Sequence, residues 1–263
     1  TFSSPIVDLG AFRNRNFSFG CIYSFILGVG LYGAVYLLPL FLFSVAGFNT
    51  LQIGITLIVT GSFQLLSAPL AAKVFDSGLD KRIMLAIGYL TFGFGCYLNS
   101  FLTAEAQFWE LFLPQMVRGI ALMFCFMPIN DLALGTMPKE EIQNASGLYN
   151  LTRNLGGAIG LAFINSLIIA KSKIFAQSMK ESMSITSPIV QEYIGSLTSM
   201  LSGKVDNPEL AAYALLDNTV NQEAFIIAIN NIFIIIALMF CLSTLLLPFT
   251  SVVENQGGNS GGH

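Results

Sequence analysis

Hydrophobic and polar positions alternate along this chain in long blocks rather than residue by residue. Six apolar blocks, about 17–43, 51–75, 83–103, 108–136, 144–170 and 224–249, each reach the ~20 residues that a helix needs to cross a hydrocarbon core. They are apolar on nearly every face, unlike the strict alternation of a membrane β-strand. The expected fold is therefore an all-α membrane protein, a bundle of six transmembrane helices. Pro114 and Pro128 lie inside the fourth block, where each removes a backbone donor and predicts a bend.

The polar pieces divide the rest. Residues 1–16 form a lead-in and 250–263 a flexible polar tail that includes "ENQGGNSGGH". The connection 171–223 is longer than the others and amphipathic. Within it, "SPIVQEYIGSLTSMLSG" predicts a short surface helix. Asn207, Pro208 and Glu209 have the order of a helix cap and first turn, so a second helix is expected to run straight into the sixth span. An ordinary extramembrane loop and a lid or partner-binding hairpin both fit this segment.

Loop charge orients the bundle. Arg13 and Arg15 precede the first span, Lys73, Lys81 and Arg82 surround the second connection, and Lys139 follows the fourth span. The intervening short loops "SVAGFNT" and "AEAQFWE" carry no Lys or Arg. Positive charge favours the inner side, which puts both ends of the chain in the cytoplasm.

Composition reinforces the membrane reading. Charged residues make up 10% of the chain and hydrophobic ones 54%, against about 25% charged in soluble domains. The net charge of −3 offers no basic surface, so nucleic acid is not an expected partner. Cys21, Cys96, Cys125 and Cys241 sit in apolar runs without C-x-x-C spacing and read as small buried hydrophobes. The single histidine, His263, lies in the tail. No H-E-x-x-H, P-loop or G-x-S-x-G motif is present, so no catalytic or metal-ligating set is assigned and enzymatic activity is not expected. The first residue is Thr1, and a fragment of a longer protein is the expectation.

Candidate chemistry comes from polar residues inside the spans. A charge at a helix centre costs about 2.5–3.5 kcal/mol on insertion scales, so it faces a partner or a wet cavity. Arg118 and Arg153 are such charges. Asp131, nearer the inner end of span four, is a candidate partner for Arg153, and a position alone at the membrane boundary fits it equally. Asn150, Arg153, Asn154 and Gly157 share one helical face, while Gly156 and Gly160 make a G-x-x-x-G packing signal. Thr56, Thr60, Gln64 and Ser67 form a stripe on span two, Tyr32 and Tyr36 are one turn apart on span one, and Gln115 lies near Arg118 on span four. Spans one, two, four and five are thus expected to line one substrate cavity. Asn230 and Asn231 read as bonds to neighbouring helices.

The stretch 117–163, "VRGIALMFCFMPINDLALGTMPKEEIQNASGLYNLTRNLGGAIGLAF", resembles the major facilitator superfamily, and most of all its fourteen-helix drug:proton antiporters of the EmrB/QacA type. "PIVDLGAFRNRNF" at 5–17 is similar to the segment that precedes the carboxy-terminal half in that group. The resemblance covers essentially the whole chain. It implies the carboxy-terminal six-helix half of a proton-coupled carrier in the bacterial inner membrane. It further implies a missing amino-terminal half as partner, a small-molecule substrate and a proton gradient in place of any cofactor. In "VFDSGLDKR", Asp76, Lys81 and Arg82 match the cytoplasmic gating loop of each half, although Ser77 stands where the family carries Arg. Arg118 matches a buried Arg of the fourth helix. The Gly-Pro antiporter motif and the proton-coupling acids of the family's other half are absent, which points to a cavity-shaping role for this one. A non-transporting module that binds a partner through 171–223, or a carrier for one metabolite or siderophore, are the alternatives.

Overall fold

The computed structural model describes residues 9–138, 140–183 and 187–250. Lys139, the lead-in before Leu9 and the tail from 251 to His263 lie outside the described residues. After a 3-10 turn at Leu9–Arg13 come seven helices: α1 (Arg15–Ser44), α2 (Thr50–Asp76), α3 (Lys81–Leu98), α4 (Phe108–Leu134), α5 (Ile142–Ser182), α6 (Pro188–Leu201) and α7 (Pro208–Ser243). Six of them, all but α6, are long and apolar enough to cross a membrane. This is the all-α, six-span bundle that the hydrophobic blocks predict.

Local chemistry sets the boundaries. Asn14 caps α1 by accepting from the amides of Asn16 and Phe17, and Asn49 and Gln52 cap α2 reciprocally. Asp80 accepts from the Arg82 amide at the start of α3. α4 runs unbroken through Pro114 and Pro128. α3 stops earlier than the apolar block, at Leu98, and a 3-10 turn carries the chain through Asn99–Phe101.

The greatest departure from the expected bounds is at 171–223. α5 continues to Ser182 because nothing in "KSKIFAQSMKES" breaks a helix, and Pro188 is the next residue suited to starting one. Asn207 caps α7 by accepting from the Leu210 amide, and the helix then runs without a break into the membrane segment. The connection is thus a helical hairpin, with α6 packed along α7.

α1 packs chiefly on α5, α2 on α4, and α3 on α4 and α7. The core is aromatic at the α1–α3–α7 junction: Phe92 stacks on Phe240 at 4.5 Å and Tyr89 meets Tyr23 edge-on at 5.5 Å. Tyr89 donates to the Tyr23 carbonyl at 2.6 Å, and Tyr23 to that of Ser243 at 3.3 Å. Asn230 ties α7 to the turn after α3 by donating to the Leu102 carbonyl at 2.8 Å, whereas Asn231 bonds within its own helix. Cys21, Cys96 and Cys125 are buried; Cys241 instead faces outward from α7, so it is not one of the core hydrophobes.

Candidate functional site

The polar residues of the spans fall into three groups. The first joins α1 and α5. Here the two backbones come into contact because glycine removes the side chains between them. A Cβ on Gly28 would strike the Arg153 carbonyl, one on Gly156 the Phe25 carbonyl, and one on Gly157 the Tyr32 ring. Gly160 lies against Val29 in the same seam. That approach lets Tyr32 donate to Asn154 at 3.2 Å and Tyr36 to Asn165 at 3.1 Å. Both bonds are exposed at the surface of the bundle.

Arg153 belongs to this group. It lies about 16 Å along α5 from Ile142, near mid-depth for a hydrocarbon core about 30 Å thick. Its Nη2 donates to Asn150 at 2.8 Å. Its guanidinium sits 5.1 Å from the Phe126 ring of α4 and 4.9 Å from the Tyr149 ring. An amide oxygen and two ring faces attract the charge without neutralising it. Arg153 is half-buried and Asn150 and Asn154 are exposed, so a positive charge with fixed orientation borders the open side of the bundle.

The second group joins α2 to α4 and is interior. Gln115 is fully buried and Arg118 is 2% exposed. The Gln115 carbonyl oxygen accepts from Thr60 at 2.8 Å and from Arg118 Nη2 at 2.6 Å. Two glycines make the space: Gly119 lets α4 touch the Thr60 carbonyl of α2, and Gly95 of α3 lies against the Arg118 stem. Gln64 is half-buried one turn beyond Thr60. Thr56 and Ser67 bond carbonyls of their own helix, which uses up half of the span-two stripe.

The third group lies where α4 ends and α3 begins. Asp131 is in the last full turn of α4 and pairs with Lys81 at 2.6 Å; Lys81 Nζ also stands 4.7 Å from the Phe75 ring. Of the two readings for Asp131, the pairing with Arg153 does not form, and the position near the end of α4 holds with Lys81 as partner. Asp131 is at the end of its helix, where the α3 N-terminus arrives, while Arg153 stands at mid-depth beside Asn150 and the Phe126 and Tyr149 rings. Asp131 thus joins the gating-loop residues. Among these, Asp76 is exposed at the end of α2, and Arg82 has its Nε buried. Asn14 closes the same end by donating to Thr136 Oγ1 at 3.1 Å.

Sequence reasoning missed Asn165, Phe126 and Tyr149. Asn165 lies eleven residues beyond Asn154, three helical turns on, so extending the α5 stripe would have found it. Nothing local marks Phe126, because its ring matters only once α4 stands beside α5.

The family model for the Major Facilitator Superfamily matches residues 2–161. The chain is 33% identical over 95% of its length to the colistin resistance protein EmrB of Acinetobacter baumannii, covering 48% of that protein. It is 28% identical over 98% to the fatty acid resistance protein FarB of Neisseria gonorrhoeae, covering 50%. It is 27% identical over its whole length to the multidrug export protein EmrB of Escherichia coli K12, again covering 50%. The chain thus spans about half the length of the curated relatives it matches.

Proposed function

The chain belongs to the major facilitator superfamily, and from that premise we propose that it is the carboxy-terminal six-helix half of a proton-coupled exporter of amphiphilic compounds. The observation that carries this reading is the uneven burial of its spans. Only 17% of the most apolar stretch is buried in α2 and in α5, against 44–56% in α1, α3, α4 and α7. α2 exposes Leu51, Ile58, Leu65 and Leu66 by two thirds or so, and α5 exposes Leu151, Leu155, Ile159 and Phe163 by about half. Two under-packed helices, one of them carrying the α5 side of the polar α1–α5 seam, suit a second half docked across a shared cavity.

In alternating access two halves rock about a site near the midplane. Arg153, Asn150, Asn154, Tyr32 and Tyr36 are this chain's contribution to that wall. Arg153 holds a permanent charge there, and the tyrosine–asparagine pairs give hydrogen-bonding groups beside apolar surface. Such a wall suits amphiphiles with a polar head. Among the described residues, the carboxylates of the spans lie in end turns or in the outer hairpin, and Asp131 is already paired. This supports a proton-carrying acid in the other half. The family, the loop charges and the apolar spans together support a bacterial inner-membrane location with both chain ends cytoplasmic.

The test is reconstitution of the whole carrier in proteoliposomes under an imposed pH gradient. Gradient-driven movement of a fluorescent amphiphile is expected for the whole protein and none for residues 1–263 alone. Transport by residues 1–263 alone, or gradient-independent movement by the whole protein, overturns the reading.

A further inference from the structure

Among the described residues, Arg118 is a buried cation with no carboxylate bonded to it. It lies about 15 Å along α4 from Phe108, near mid-depth, and is enclosed by α2, α3 and α4. Those three helices carry Asp76, Glu110 and Asp131 as their only carboxylates. Asp76 and Asp131 are in last turns, and Asp131 pairs with Lys81. Glu110 is in the first turn of α4, where it accepts from the Gln107 amide. None of these three acids bonds Arg118. Arg118 is already closed off within this chain, with Gly95 of α3 against its stem.

The unmet chemistry around it has one sign. Arg118 cannot accept a hydrogen bond, so the Gln115 atom receiving Nη2 at 2.6 Å is the carbonyl oxygen, which fixes the amide's orientation. Gln115 Nε2 and Arg118 Nη1 are then both donors, both buried and both without a partner among the described residues. Both flank the same Gln115–Arg118 hydrogen bond, and where they stand within about 6 Å of each other one acceptor at hydrogen-bonding distance reaches both. α4 side chains lean toward its N-terminus, which brings the Arg118 head toward the end of α3. There Asn99, fully buried and one turn past Gly95, has both amide atoms without a partner among the described residues. An orphaned buried donor is costly and a charged one more so, and an acceptor placed among them stabilises the set. Gly95 and Gly119 let α3 and α2 close tightly around this group.

We propose that Arg118, Gln115 and Asn99 form a buried binding site for one small monovalent anion of chloride size, which neutralises Arg118 and braces α2, α3 and α4. Three nitrogen donors and one positive charge suit a spherical monoanion, and full burial excludes a bulky one. The site is separate from the Arg153 wall and does not depend on the chain being a transporter.

Two measurements test it, both on the purified full protein in detergent or nanodiscs. In the first, unfolding is followed while sodium chloride replaces sodium gluconate at constant ionic strength. The midpoint is expected to rise and saturate with chloride, and Gln115→Leu, which keeps the charge of Arg118, is expected to flatten that rise. In the second, a structure from bromide-containing buffer is expected to show an anomalous peak within hydrogen-bonding distance of Arg118 Nη1 and Gln115 Nε2. Superimposable chloride and gluconate curves, or ordered water at that position in bromide, overturn the proposal.

Discussion

Lys81 and Asp131 meet at 2.6 Å across the facing ends of α3 and α4, fifty positions apart in the chain. Their side chains are only 16% and 24% exposed. A pair so placed is worth more than a surface ion pair and costs more to break on one side. Asp131→Asn is expected to lower stability by about 1–2 kcal/mol. The exchange Lys81→Asp with Asp131→Lys is expected to restore a good part of it. A double-mutant cycle read by thermal unfolding in detergent checks this, and additive single effects would remove the pair from the account.

Glycines of the same type carry opposite predictions. Gly28→Ala puts a Cβ against the Arg153 backbone and is expected to cost about 1–3 kcal/mol, because neither backbone can retreat. Gly54→Ala on α2 meets nothing within 4 Å and is expected to be neutral or to stabilise by up to about 1 kcal/mol through helix propensity. Unfolding midpoints of the two variants, compared in one detergent, give the signs directly.

Arg153 acts through its plane as well as its charge, stacked by Phe126 and Tyr149 and held by Asn150. In the whole carrier, Arg153→Ala is expected to lower transport of an anionic amphiphile about tenfold, the equivalent of one cation–π contact with its hydrogen bond. Arg153→Lys keeps the charge but loses the flat stacking surface, so it is expected to recover only part of the activity. Initial rates in proteoliposomes, normalised to protein inserted, decide between the two.

In the outer hairpin, beyond the 224–249 membrane segment, Lys180 and Asp217 pair at 2.6 Å in the open. The Lys180 hydrogen bond holds the Asp217 carboxyl below the usual carboxylate range, against the opposing effect of desolvation and with help from the Lys180 charge and Asn221. A lowered carboxylate contributes stability above its unfolded value and loses it as pH falls through its folded value. Hydrogen exchange in 171–182 and 208–223 is therefore expected to be unchanged from pH 7 to 5 and to quicken, after correction for intrinsic rates, only below about pH 4. Asp217→Asn is expected to remove that acid step, and high salt to shrink it.

The six spans were legible because lipid imposes a simple rule: about 20 consecutive apolar residues with their backbone bonds satisfied internally. The Asn207–Pro208 start of α7 was legible because capping acts within one turn, and the short helix after Ser187 because its segment is amphipathic. The polar site was legible as an inventory. Arg118, Arg153, Gln115 and Thr60 stand out because charge and amide groups are costly in hydrocarbon. Their partners did not stand out. Asp131 was within plausible reach of Arg153 by depth alone, and only the position of α3 assigned it to Lys81.

By itself, then, the sequence determined how many helices cross, where most of them start, and which side chains cannot face lipid, because these depend on transfer free energy and on neighbours within a turn. The tertiary structure decided which helices touch, and through that which polar groups are satisfied. Arg118 and Arg153 look alike in the chain, each a lone cation in an apolar run. Gly95 and Gly119 enclose the first among three helices, while Gly28 and Gly156 draw α1 onto α5 and leave the second at the open edge. That difference arises from backbones meeting across long sequence separations, which no local pattern encodes.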